Sequence, residues 1–262
     1  MTFKGDEMIR RLPCFVIFIA LLVSPAVEAY VEVRHHNISC DSSFPCPTEL
    51  RRRVDFWIDV YSRWDSQNAI LHDPSTPHRV YKVVEGRSCG GKANASFIRD
   101  QKKFIAGRLY KIANNRDKNI SISDAFNRHL AGLFRGNSST EIRTAAQNIR
   151  CQSGNKDGFK AALHRYGIYG PMVRRILREA ELPPDVQYLP FVESSYNPKA
   201  FSRVGAAGLW QIMPATGQTL GLKLDASLDE RLDPEFATWA ATRYLKKARK
   251  TLTRVGREKN PR

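Results

Sequence analysis

A mainly α-helical chain with a small mixed region in its first half is predicted by three observations. Apolar residues recur at helical spacing in most of the patterned stretches, a single stretch, His78 to Val84, alternates as a strand would, and proline or glycine stands at the ends of several of the helical stretches. The 262 residues are 42% hydrophobic, and about 230 of them would remain after removal of a leader, enough for one large or two small cores.

The chain opens with Lys4, Arg10 and Arg11, continues through the apolar run Leu12 to Val23, and reaches Ser24-Pro25 and Val27-Glu28-Ala29. That order is a secretory signal peptide over residues 1–29. The apolar run is too short for a transmembrane helix, and Val27 and Ala29 fit a cut before Tyr30. Met8 is an alternative start, since Asp6 and Glu7 do not suit the basic leader. Arg11-Leu12-Pro13 ahead of Cys14 is not the small-residue pattern that lipidation needs.

Residues 1–29 hold three basic and three acidic side chains, so removing them keeps the formal net charge of +16. Such a balance favours polyanions: nucleic acid, anionic lipid or an acidic wall polymer. Export argues against nucleic acid. Cys40, Cys46, Cys89 and Cys151 follow the leader, an even number that reads as two disulfides in an exported chain. Cys40 with Cys46 would close a short loop and leave Cys89 with Cys151, but three connectivities are open. No pair has C-x-x-C spacing and His35-His36 fall in a tail-like segment, so no metal is expected. Asn37, Asn94, Asn119 and Asn137 open Asn-x-Ser triplets, read as chance matches in polar loops.

Residues 30–150 form the first region, mixed but mostly helical. Leu50 to Trp64 is predicted as a helix with Val54, Trp57, Ile58 and Tyr61 on its apolar face, after the start signal Pro47-Thr48-Glu49. In the strand that follows, Val80, Lys82 and Val84 would share one side, with Tyr81 and Val83 on the other. Phe97 to Asn114 is a second helix, apolar at Ile98, Ile105, Leu109 and Ile112, and Thr140 to Ile149 a short third. His72 and His78 have no catalytic company in sequence and are assigned to surface or loop chemistry. Gly132 to Thr140 and Ser153 to Gly158 are turns, one of them marking the approach to the second region.

Residues 151–252 carry the chemistry. Phe159 to His164 begins a helix, and Pro171 to Ala180 makes another with Pro171 in its first turn, Met172, Ile176 and Ala180 on one face, and Arg174, Arg175 and Arg178 on the other. Pro183-Pro184-Asp185 starts a helix that Asn197-Pro198 stops, and Glu193 near its end has Val186, Leu189 and Pro190 seven, four and three residues before it. That places the carboxyl on an apolar face, where desolvation raises its pKa; a carboxyl still protonated near neutral pH is what general-acid cleavage of a glycosidic bond requires. Gly205-Ala206-Ala207-Gly208 has almost no side chain, so backbone can approach closely there, to a helix or to a sugar ring. Gln211 offers an amide to sugar hydroxyls and acetamido groups, Met213 an apolar surface, and Trp210 is assigned to the core. Pro214 to Leu220 is a short helix closed by Gly221. Pro234 to Leu252 is a longer one with Ala237, Ala241, Leu245, Ala248 and Leu252 along one stripe.

Together Glu193-Ser194, Tyr196-Asn197-Pro198, Gly205-Ala206-Ala207-Gly208-Leu209-Trp210-Gln211-Ile212-Met213-Pro214 and Ala215-Thr216-Gly217 resemble, in order and spacing, the family 1 lytic transglycosylases of bacterial cell walls. Phe159 to Tyr188, with Tyr166, Tyr169 and Leu182-Pro183, resembles the membrane-bound lytic transglycosylase D type in particular. The resemblance covers roughly residues 145 to 245. It implies a lysozyme-like fold for the second region, Glu193 as the catalytic residue, and Ser194, Gln211 and Met213 as substrate-binding residues. It also implies a single-carboxylate mechanism: Glu193 protonates the leaving oxygen, then takes the proton of the muramic-acid hydroxyl that attacks in place of water. Asp229 and Glu230 are the candidates for a second carboxylate if water is the nucleophile. The arginine face Arg174, Arg175, Arg178 is solvated or lines an approach for a charged wall polymer.

The chain departs from the family after Tyr244-Leu245, where relatives continue to an Ala-Tyr-Asn-x-Gly motif whose tyrosine lies in the cleft. Here residues 246–262 hold eight basic residues against the single acid Glu258, and 253–262 is read as a basic tail of a truncated or altered domain. The sequence therefore predicts an exported protein of the periplasm or cell envelope that cleaves the bond between N-acetylmuramic acid and N-acetylglucosamine and leaves 1,6-anhydro ends. Peptidoglycan glycan strands are its partner, no cofactor, metal or nucleic acid is expected, and membrane-surface association and oligomeric state are left open. The rival readings are a lysozyme-type hydrolase, a catalytically impaired wall-binding protein, and, more distantly, a nucleic-acid binder.

Overall fold

In the computed structural model the described residues are 31–38, 47–118, 122 and 124–259. The expected leader, Cys40, Cys46, Asn119 and the last residues of the tail lie outside them. Among the described residues no helix is long and apolar enough to cross a membrane.

The first region is a three-stranded sheet packed between helices. Helix α1 (Thr48–Ser62) precedes strands β1 (Ala69–His72) and β2 (Val80–Val84), and α2 (Lys92–Asp117), α3 (Ala125–Gly132) and α4 (Ser139–Gln147) lead to strand β3 (Arg150–Ser153). The order is β2-β1-β3, antiparallel throughout. Central β1 is buried along its whole length: Leu71 faces the core of α2, α3 and α4, with Ile105, Leu109, Leu130 and Ile142, while Ile70 faces α1 with Phe56, Val60 and Trp64. A strand covered on both faces shows no alternation, and for that reason β1 is invisible as a pattern in the sequence. Helix α2 buries Ile98, Ile105, Leu109 and Ile112 as expected, and α4 starts on a capping box between Ser138 and Glu141.

Four expectations for this region are corrected, the last being the surface or loop placement of His72. Helix α1 buries Phe56 and Val60, not the face of Val54, Trp57, Ile58 and Tyr61; Trp57 is 42% exposed. The buried face also carries Asp55 and Asp59, which accept from the backbone N–H groups of His36 (2.9 Å) and Arg34 (3.0 Å), so the segment holding His35 and His36 is docked, not tail-like. Two acids on a helix face erase its apolar signature, although here they satisfy the backbone N–H groups of Arg34 and His36. In β2 a bulge beside Leu71 and His72 breaks the alternation: Val80 packs with Val83 against α1, and Tyr81 with Val84 against α2. His72 is buried on β1, 4.8 Å from the Phe56 ring, and burial lowers its pKa.

Cys89 and Cys151 form a disulfide that joins the loop before α2 to β3. Gly154, just beyond β3, lies so close to the backbone of Trp64 and Asp65 that a Cβ there would overlap it. Helix α5 (Lys156–Glu179) then runs unbroken through Pro171, which the sequence reading placed in a first turn. The proline removes one intrahelical hydrogen bond, offset by burial of Val173, Ile176 and Leu177 on either side of the following turn.

The second core assembles around α5 and the long C-terminal helix. A 3-10 turn (Pro184–Tyr188), α6 (Leu189–Glu193), α7 (Pro214–Thr219), a second 3-10 turn (Glu230–Leu232) and α8 (Pro234–Lys259) enclose Val173, Leu177, Val186, Tyr196, Leu209 and Ala237. The α8 backbone stays helical past the expected end at Leu252. The expected apolar stripe is buried at Ala237 and Ala241 and partly at Leu245, but it does not continue to its expected end: Leu252 is 71% exposed, beside the likewise exposed Lys250, Thr251 and Thr253.

Candidate active site

Glu193 is presented by a chain reversal. Pro190, in the first turn of α6, lacks the N–H that would continue the preceding turn, so the expected single helix divides into a 3-10 turn and one α turn. Val186 and Pro190 are buried, whereas Leu189, Val192 and Glu193 are exposed. The expected burial of Glu193 on an apolar face is therefore not realised: the changed helical phase turns its carboxyl to the mouth of a cleft. Beyond Ser194, Ser195 and Tyr196 both have positive φ, 53° and 60°. Left-handed backbone at two consecutive non-glycine residues costs about 1–3 kcal/mol each. Tyr196 supplies the compensation: its ring is fully buried, 5.2 Å from Tyr166 and 4.8 Å from Phe191, its N–H donates to Pro190 O (2.9 Å) and its hydroxyl to Gln187 O (2.5 Å). Burial raises the pKa of that hydroxyl, which keeps it a donor. Arg165 Nε fixes the other side of the reversal through Ser195 O (2.9 Å).

The glycine-rich loop is shaped by Arg231. Its guanidinium is buried, donates to Gly205 O (2.7 Å) and Ile212 O (2.9 Å), and pairs in a fork with Asp229 (2.9 and 2.7 Å). Gly208, at φ 79°, lies against the Arg231 carbonyl oxygen with no room for a Cβ. The smooth stretch thus receives protein backbone at Gly208, while Ala207 bridges to Phe201 and Ile212 and holds the loop closed.

Between this loop, α6 and α8 lies a cleft of about 300 Å³. Three of the four residues expected to form the site, Glu193, Gln211 and Met213, line it together. The fourth, Ser194, is turned into the fold: its hydroxyl donates to Leu209 O (2.8 Å) and accepts from Asn197 N (3.1 Å), which ties the Glu193 reversal to the glycine-rich loop. Gln211 has φ 48° and uses Nε2 on Gly208 O (3.0 Å) and Ala200 O (3.3 Å); its amide oxygen takes part in neither bond. Trp210 is core, as expected, with its indole N–H on Thr238 Oγ1 (2.9 Å), and one edge forms cleft wall. Leu189, Thr216 and Tyr244 complete the rim and were not anticipated. Tyr244 stands one position off the buried Ala237, Ala241, Leu245 stripe of α8, and an aromatic at such an edge was the available signal.

The remaining acids do not reach the cleft. Asp229 is occupied by Arg231, whose hydrogen bonds hold its carboxyl below the usual range; Glu230 accepts from Lys223 N (2.7 Å); Asp225 accepts from Ser227 and Leu228; and Asp233 caps α8 through the N–H groups of Glu235 and Phe236. Asp229 and Glu230 are thereby removed as candidates for a second carboxylate. Among the described residues no group of histidine, cysteine or acidic side chains could hold a metal ion.

Residues 174–257, which include every residue lining this cleft, match the family model described as Transglycosylase SLT domain. Over these residues the chain is similar to that family. Among its relatives are the membrane-bound lytic murein transglycosylase D of Escherichia coli (strain K12) and that of Escherichia coli O6:H1, each 36% identical over 91 residues. Each alignment takes in 35% of this chain and 19% of the relative, so the chain spans about a fifth of the length of the curated relatives it matches.

Proposed function

We propose that this chain is an exported peptidoglycan lytic transglycosylase of the cell envelope. The observation that carries the reading is that Glu193 is the one carboxylate lining the cleft among the described residues, facing Gln211, Met213 and Tyr244. A single carboxylate suits a reaction in which the substrate brings its own nucleophile. Glu193 gives its proton to the oxygen that leaves with N-acetylglucosamine as the bond to C1 of N-acetylmuramic acid breaks. The C6 hydroxyl of the same muramic residue then bonds to C1 and returns its proton to Glu193, so a 1,6-anhydro end forms and no water is consumed. General-acid work needs a carboxyl shielded from water; a glycan seated on Leu189, Met213 and Tyr244 supplies the covering that the open cleft lacks. Gln211, held at Nε2, keeps an amide oxygen for a sugar hydroxyl or acetamido N–H.

Mass spectrometry of fragments released from purified sacculi tests the reading. Anhydro-muramic ends are expected. Reducing ends, heavier by one water, would assign a lysozyme-type hydrolase instead, and sedimentation with sacculi without any release would leave a wall-binding protein.

A further inference from the structure

The cleft continues along α8 into a second groove of about 570 Å³, with which it shares Thr216, Leu220 and Tyr244. The continuation runs between α7 and α8, walled by Thr219, Thr251, Ala248 and Leu252, and Lys247 stands on its edge. Among the described residues no carboxylate lines it. The side chains of Lys246, Lys247 and Lys250 have no hydrogen-bond or ion-pair partner there either, so this end of α8 is an uncompensated cationic wall beside a surface that leaves Tyr244 54% and Leu252 71% exposed. Two of the α5 arginines contrast with it. Arg174 is bonded to the Tyr166 hydroxyl (2.7 Å), and Arg175 to Glu179 (3.2 Å) and Glu235 (2.7 Å), so they are committed to the fold.

We infer that this groove receives the acidic peptide stems of the glycan strand whose sugar backbone occupies the Glu193 cleft, with Lys247 and Lys250 pairing with stem carboxylates. The inference rests on the glycan-cleaving reading of that cleft. Three features point to an elongated anionic ligand that already lies on Glu193: the groove is continuous with the cleft, it carries hydroxyl and apolar walls suited to a peptide chain, and it has cations without anions. A planar anionic lipid surface would use the lysines but not the groove wall at Thr216 and Thr219.

The test is co-sedimentation of the full chain, in a Glu193→Gln background so that the wall stays intact, with sacculi bearing their peptide stems and with sacculi stripped of them by an amidase. Replacing Lys247 and Lys250 together by Glu should weaken binding to stem-bearing sacculi about ten-fold at low salt, with the difference closing at high salt, and leave binding to stripped glycan unchanged. Lysine-to-arginine replacement should retain binding. Equal loss on both kinds of sacculi, or no loss on either, overturns the inference, and so does an effect of the lysines confined to phosphatidylglycerol vesicles. Binding to stripped glycan together with fragment release by the Glu193 chain reports separately on the parent reading. Exposed lysines on a helix surface contribute little to stability, and an unchanged melting temperature verifies the fold of the variants.

Discussion

The backbone of Gly208 rests on the carbonyl oxygen of Arg231, at a φ of 79°, in the loop that forms one wall of the Glu193 cleft. Both members of this contact are main chain, so neither can swing aside for a side chain. Gly208→Ala must displace the 3-10 turn at Glu230–Leu232 as well as accept left-handed backbone, and a loss of about 3 kcal/mol or more is expected. Gly205→Ala is the comparison: its φ is 90°, but the nearest atoms to a Cβ are those of Pro214 at 4.0 Å, so only the conformational cost of roughly 1–2 kcal/mol applies. Thermal melts of the two variants should differ clearly; equal melts would mean that the contact is not a constraint.

Arg231 gives the loop a dependence on pH through Asp229. Hydrogen bonding from Arg231 holds the Asp229 carboxyl below the usual range in the folded chain. A folded pKa below the unfolded value of about 3.9 means that the stabilisation is present above that value and is lost as pH falls through the folded pKa. Asp229→Asn leaves a buried guanidinium half paired and should cost on the order of 3 kcal/mol at neutral pH. The gap between variant and parent should narrow below about pH 4. Denaturant titrations at pH 7 and pH 3 measure it, and a gap independent of pH contradicts the assignment.

How much of this was legible in the sequence depended on whether burial was one-sided. The α2 face of Ile98, Ile105, Leu109 and Ile112 could be read because only one side of that helix is buried. Strand β1 could not, since Ile70 and Leu71 are buried on opposite faces, and the α1 face was misread because Asp55 and Asp59 sit in it. For the site, it was the resemblance of the motifs around Glu193, Gln211 and Met213 to a known family that put them together, and the cleft holds all three. The orientation of Glu193 and of Ser194 was not legible, because both hang on a reversal by two left-handed residues that no periodicity encodes.

The Cys89–Cys151 disulfide closes a loop of sequence separation 62 around the first core. Restriction of the unfolded chain by a loop of that size contributes about 4 kcal/mol in the chain-entropy picture. Replacing both cysteines by serine should lower the melting of α2, α4 and the sheet by an amount of that order while fragment release at low temperature is kept, since the cleft belongs to the other core. Calorimetry and release assays on the same variant separate the two cores; parallel loss of activity would show that the cleft needs the first region.

Glu193 and Ser194 are adjacent, yet the structure gives them opposite signatures. Glu193 is exposed in the free cleft, so Glu193→Gln should leave the melting temperature nearly unchanged, within about 0.5 kcal/mol, because no buried charge is relieved and no fold contact is lost. Removing the transferable proton should lower turnover about a hundred-fold or more with binding to sacculi preserved. Ser194→Ala deletes the bond to Leu209 O and the acceptor for Asn197 N, so about 1–2 kcal/mol of stability should go with it. Its activity loss should be smaller and should follow the loosened position of Glu193, appearing in kcat more than in KM. A Ser194→Ala chain of unchanged stability but raised KM would make that hydroxyl a substrate contact after all. A Glu193→Gln chain as active as its parent would remove Glu193 from the chemistry.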